Sequence, residues 1–178
     1  MYDLFFRPLF IFFIIELQTR RVVHFRVTRT PADEWTAQQL REATPYGVQP
    51  KYLIHDNDRK FGASFSRVAA ASDIKEVHIA YKAPKMNAFC ERFLGGVRRE
   101  CLDHILILGE QHLHQVVGEY MQYFNAARPH QGIGQAIPDR LRGQGTAATS
   151  ELAGAVADGK IRAFPVLGGL HHDYRRVA

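Results

Sequence analysis

Cysteine is scarce in this chain, with only Cys90 and Cys101 among 178 residues. Two thiols at that spacing give neither the paired-thiolate pattern of a zinc site nor the density of a secreted disulfide scaffold. Both read as small core residues in a reducing cytoplasm. Long apolar runs are also missing. The uninterrupted stretch Leu9 to Ile15 is far shorter than the about 20 residues that cross a bilayer. Asp3 stands where a signal peptide needs positive charge, and no small-residue cleavage site follows, so no membrane partner is expected. Acidic residues are outnumbered, 18 against 23 basic, which leaves a net charge of +5. That balance favours a polyanionic partner over a small-molecule substrate. No internal repeat and no strongly biased segment is present.

What is there suffices for one domain with a core. Leu9 to Leu17 is rich in β-branched and aromatic residues. Gln18 to Arg21 interrupts it before Val22 to Thr28, where Val23, Phe25 and Val27 share a face, so a hairpin is predicted. Thr30-Pro-Ala-Asp33 offers a capping residue, a proline at the first helical position and a carboxylate at the third. A helix carrying Trp35 and Leu40 inward should start there and end at Thr44-Pro45. Lys51 to His55 is a short inner strand presenting Asp56 at its C-terminal end. A small helix around Phe65 to Ala71, a strand from Ile74 to Ile79 and a loop through Tyr81 to Met86 follow. A helix is predicted from about Asn87 to His104. Another is marked by Leu113, Val116, Val117, Tyr120, Met121 and Phe124 at the i, i+3, i+4, i+7 rhythm, and Arg128-Pro129 breaks it. This order indicates an α/β domain with a mixed sheet flanked by helices.

Chemistry concentrates at two places. Asp56 lies at a strand end and Glu91 in the first turns of a helix; one carboxylate oxygen from each suits Mg²⁺, which is hard and takes oxygen ligands. On that helix Glu91, Gly95 and Arg98 fall at i, i+4 and i+7. They share a face on which Gly95 leaves backbone open for a phosphate. From spacing alone the plainer alternative stays open: Asp56 capping a turn and Glu91 pairing with a neighbouring arginine.

Three blocks carry a resemblance. His55-Asp56-Asn57-Asp58-Arg59-Lys60-Phe61 resembles the second-aspartate motif of the integrase core (DDE) domain of insertion-sequence transposases, which are similar to retroviral integrase catalytic cores. Asn87-Ala-Phe-Cys-Glu91-Arg92 is similar to their Asn-Ala-x-x-Glu-Arg block, with Arg98 at the basic position seven residues beyond the glutamate. Tyr123-Phe-Asn-Ala-Ala-Arg128-Pro-His130 resembles the Tyr-Asn-x-x-Arg-Pro-His block that follows the catalytic helix. The match runs from about Leu9 to Pro138, and 34 residues separate Asp56 from Glu91, close to the family's spacing. The resemblance implies an RNase H-like fold and a triad of two aspartates and a glutamate. It further implies two divalent ions, Mg²⁺ or Mn²⁺, that cleave a DNA phosphodiester and join the freed end to target DNA. By the same carry-over Asp56 and Glu91 are catalytic metal ligands and Arg98 is a DNA contact. Arg92 and Arg99 are placed to contact phosphates or neutralise carboxylates, and Lys82 and Lys85 to track the backbone or remain solvated. A homo-oligomer in the cytoplasm, associated with the nucleoid, is the expectation.

The pattern departs from the family in the first aspartate. The strand that should bear it falls mostly before Met1, so the catalytic core, residues 1–140, reads as truncated at its N-terminal strand. Asp3 is the one acid available, as catalytic residue and metal ligand, on condition that Asp3 to Phe6 forms a short strand with Arg7-Pro8 as its turn. The alternative function is therefore a catalytically inactive remnant that binds DNA or a full-length relative. Asp58 replaces a common glycine, either as a surrogate ligand or as a source of repulsion. Residues 141–178 read as a Gly/Ala-rich linker and a basic tail that packs loosely; its His171-His172 resembles the tail of the same transposases. His24 and His55 read as ordinary strand residues.

Overall fold

Residues 1–45, 49–79, 84–142 and 159–177 are described by a computed structural model, with side chains omitted for 84–87 and 142. Two compact units emerge: Met1–Ile15 with Val23–His114, and Glu16–Val22 with Gln115–Ala178.

In the first unit the strands pair in twos. β1 (Phe10–Ile15) pairs with β2 (Val22–Thr28). The six-residue connection between them admits only a hairpin, because parallel strands need a crossover of a dozen residues or more. Val27 is buried, but Val23 is exposed, so the face expected for β2 is only partly covered. β3 (Tyr52–His55) pairs in parallel with β4 (Lys75–His78), aligning Leu53 with Glu76 and His55 with His78. α2 (Ala63–Ala71) makes the crossover between these two strands. It packs on α1 (Asp33–Ala43) through Ala37 and Leu40 on one helix and Phe65, Val68 and Ala69 on the other, with Ile14, Leu53 and Phe61 closing the cluster. The alanines at this contact let the two backbones approach.

α1 begins later than its sequence signals indicate. Its N-cap is Ala32, with no side-chain cap. The Asp33 carboxylate turns instead to the start of α2, accepting from the backbone N–H groups of Gly62, Ser64 and Phe65 at 2.8–2.9 Å. Gly62, the N-cap of α2, has no side chain to satisfy those donors, and an anion is favoured at a helix N-terminus. Tertiary structure thus reassigns a local capping residue to another helix.

α3 (Pro84–Glu100) buries Phe93 and Val97, and Cys101 just beyond its end extends the buried stripe, a spacing of four that defines one face. Phe93 meets the ring of Phe13 on β1 at 4.7 Å between centroids. Glu91, Arg92, Arg98 and Arg99 are exposed on the rest of the helix. A 3₁₀ turn at Leu102–His104 leads to α4 (Glu110–Ala126).

In the second unit α4 buries Val116, Val117, Tyr120, Met121 and Phe124, the stripe its periodicity predicts. Asn125 clamps the backbone of Val22, bonding both its N–H and its C=O at 2.9 Å. His130 is buried beyond the helix end and reaches back to the carbonyl of Phe124 at 3.0 Å, so the Arg-Pro-His block closes α4. α5 (Pro138–Arg142) follows, and residues 143–158 lie outside the described residues. Past them, β5 (Lys160–Val166) and β6 (His171–Val177) form an antiparallel hairpin that the sequence does not announce. His171 stacks on Tyr123 of α4 at 4.9 Å with ring planes 11° apart, which gives this histidine a packing role.

Candidate functional site

β3 ends at His55, and the chain leaves the strand with Asp56 exposed. The N–H of Asp58 donates to Asp56 Oδ1 at 3.2 Å, fixing a tight turn. Asn57 bonds the carbonyl of Ile79 just past β4 at 3.3 Å, so the turn is tied to the neighbouring strand. α3 brings Glu91 to the same neighbourhood. The sign of this lies in Cys90: burial first, then the negative charges of Asp56 and Glu91, push its thiol pKa up. A group on α3 is therefore within electrostatic reach of the β3 end. The same burial and charges favour the neutral thiol of Cys90 over the thiolate.

Glu91 is exposed and makes no ion pair among the described residues. Asp56 accepts one backbone bond and no side-chain cation among them. Two accessible carboxylates without cationic partners are the donor set a hard divalent ion takes. Asp58 is differently placed. Lys60 chelates its carboxylate, through Nζ at 2.7 Å and the backbone N–H at 3.1 Å. Those bonds lower its pKa, so the residue that replaces a glycine holds the turn together.

Asp3 does not meet the condition set for it. Residues 3–7 form a turn, closed by a bridge between Tyr2 and Pro8 and by reciprocal bonds between Met1 and Leu9. The Asp3 carboxylate is enclosed there. Oδ1 accepts from the N–H groups of Phe5 and Arg7, and Oδ2 from the guanidinium groups of Arg7 and Arg29 at 2.9–3.0 Å. Four donors fill the acceptor capacity of one carboxylate. Burial alone would raise its pKa, but these bonds outweigh it and hold the group at about 2. Asp3, Asp56 and Glu91 do not come within one coordination sphere. Among the described residues the cluster with metal-ligand spacing is His55, Glu76 and His78. Sequence inspection passes over it, because only the β3–β4 register sets His55 opposite His78.

The basic residues of α3 divide. Arg98 leans on Asp103 at 3.3 Å, both groups well exposed. The Arg99 guanidinium lies over Gly95, with Nη1 2.9 Å from the position a Cβ would take. The backbone expected to lie open at Gly95 is thus covered by the Arg99 side chain. Arg92 is exposed. Lys82 lies outside the described residues, and Lys85 is described only as backbone of α3.

Residues 72–138 match the family model of the integrase core domain. The chain is 25% identical over 126 residues to an uncharacterised 39.2 kDa protein of insertion element IS476 from Xanthomonas euvesicatoria, an alignment covering 70% of this chain and 36% of that protein. It is 24% identical over 129 residues to an uncharacterised 31.7 kDa protein of insertion element IS407 from Burkholderia multivorans, covering 72% and 47%. The chain therefore spans less than half the length of these curated relatives. Among solved structures, it superimposes on a chain of the simian T-cell lymphotropic virus intasome in complex with a PP2A regulatory subunit, with a TM-score of 0.62 at 12% identity, covering 92% of this chain and 59% of that one. On the catalytic core domain of BIV integrase the TM-score is 0.56 at 17% identity, covering 75% and 85%. The fold is that of the retroviral integrase cores, RNase H-like. Among the described residues no helix is long and apolar enough to cross a membrane.

Proposed function

Taking the resemblance to integrase cores as premise, we propose that this chain is a transposase core acting on DNA phosphodiesters, with Asp56 and Glu91 as its metal-binding carboxylates. The observation that carries this is the convergence of a strand-end aspartate and a helix glutamate, both exposed and free of side-chain cations, on the surroundings of Cys90. A bound Mg²⁺ or Mn²⁺ supplies Lewis acidity to the attacking and leaving oxygens of an in-line displacement. The protein's own part is to present hard oxygen donors and to hold DNA. The Asp58–Lys60 chelate and the Asn57 bond to Ile79 keep Asp56 at the strand end. Phosphates are met by Arg98, Arg99 and Arg92 on the exposed face of α3, with Lys85 in its first turn and Lys82 ahead of it in sequence. Work on paired DNA ends calls for more than one copy of the chain, so a homo-oligomer belongs to this reading.

The enclosure of Asp3 favours a second reading, in which the chain binds DNA or a longer relative without turnover, because two carboxylates of three hold the catalytic ions poorly. One assay separates the two. Purified protein with Mn²⁺ or Mg²⁺ and end-labelled duplex DNA is expected to nick or join strands under the first reading. Asp56→Asn or Glu91→Gln is then expected to abolish the reaction while DNA binding persists. Retarded DNA with no metal-dependent product in the unaltered protein would establish the second.

A further inference from the structure

We propose that His55, Glu76 and His78 form a transition-metal site of the Zn²⁺ class, separate from the carboxylates Asp56 and Glu91 and independent of the transposase reading. The ligand atoms of the three side chains lie within 4.8 Å of one another. The β3–β4 register puts His55 opposite His78, and their rings meet edge to face at 4.7 Å between centroids.

His55 Nδ1 lies 2.7 Å from the backbone carbonyl of Asp56, and a carbonyl can only accept, so Nδ1 donates. That leaves Nε2 to face Glu76 Oε2, at 3.0 Å. Bonds of about 2.1 Å at right or tetrahedral angles set two ligand atoms about 3.0–3.4 Å apart, which the observed separation meets.

The supporting shell is present as well. A metal-bound histidine nearly always donates its other N–H to a carbonyl or carboxylate, as His55 does. Glu76 is steadied by the Ser66 hydroxyl, which donates to Oε2 at 3.1 Å. His55 is 7% exposed and walled by Phe61 and Phe65, with ring centroids at 4.8 and 5.4 Å, which limits water on that side. His78 is exposed and can rotate to complete the set. Two imidazoles and one carboxylate suit Zn²⁺, Co²⁺ or Ni²⁺, whereas Mg²⁺ prefers oxygen alone.

The test is calorimetric titration of the chelator-treated full chain with ZnCl₂, and with CoCl₂ for the visible absorption that reports coordination. Saturable binding of one Zn²⁺ per chain is expected. His78→Ala and Glu76→Gln are each expected to weaken it more than ~100-fold, beyond the ~10–100-fold that loss of an outer-shell partner costs. His78 is exposed, so its removal spares the fold, and circular dichroism checks this. Asp56→Asn, Glu91→Gln and the double change His171→Ala/His172→Ala are expected to leave Zn²⁺ binding intact. Absence of saturable binding leaves the His55–Glu76 contact a hydrogen bond and overturns the proposal. Equal Zn²⁺ affinity in His78→Ala, or its loss in Asp56→Asn or in the tail variant, overturns it too.

Discussion

The Asp3 carboxylate accepts from two backbone amides and two arginines, and this changes both its charge behaviour and its role. Its folded pKa of about 2 lies below the ordinary 3.8, so the unfolded chain binds more protons over that interval. The stability it contributes is therefore fully present above pH 3.8 and is lost as pH falls toward 2. Asp3→Asn is expected to shallow the acid limb of a stability-versus-pH curve in that window, measured by urea unfolding at successive pH values. Asp33 and Asp58, also lowered, retain the remainder of the slope. An unchanged acid limb would show that Asp3 is not so held. The acidity of Asp3 is plain in the sequence; what the sequence lacks is Arg29, 26 positions on, which closes over the carboxylate.

At the scale of elements, the periodic patterns and the β1–β2 hairpin were legible, and the β3–β4 and β5–β6 pairings were not. The α4 stripe was readable because a helix repeats its buried positions every three or four residues, and Leu113 to Phe124 do so without interruption. The β5–β6 hairpin was not, since Arg162 faces Arg175 and both strands are exposed, so no alternation marks them. Asp56 and Glu91 stand out by their neighbours in sequence, while the His55–Glu76–His78 cluster depends on a register that only the folded chain reveals. Capping errs in the same way, as Asp33 shows. Asp33→Ala is expected to cost about 1 kcal/mol in chemical denaturation, the usual loss of a helix cap. In Gly62→Ala the added Cβ would lie 2.9 Å from the Asp33 carboxyl and push the cap away. The two substitutions are therefore expected to be less than additive; full additivity would mean that Asp33 does not cap α2.

For the whole molecule the question is whether a net charge of +5 is spread evenly or directed. Arg92, Arg98 and Arg99 all lie outside the buried stripe of Phe93, Val97 and Cys101, so beyond Glu91 three arginines stand against Glu100 on the polar surface of α3. Asp103 is the local competitor, since its carboxylate holds Arg98 in an exposed pair whose contribution to stability is small. A DNA phosphate can displace it. Filter binding to a random duplex across a salt series is expected to give a falling log–log plot, with a slope that shrinks by about 0.9 for each phosphate contact removed. Arg98→Ala and Arg99→Ala are each expected to reduce the slope by that amount. Asp103→Asn, which releases Arg98, is expected to strengthen binding while leaving the slope close to that of the unaltered chain. If Arg98→Ala leaves slope and affinity unchanged, the basic surface of α3 serves only solvation, and DNA is held elsewhere on the chain.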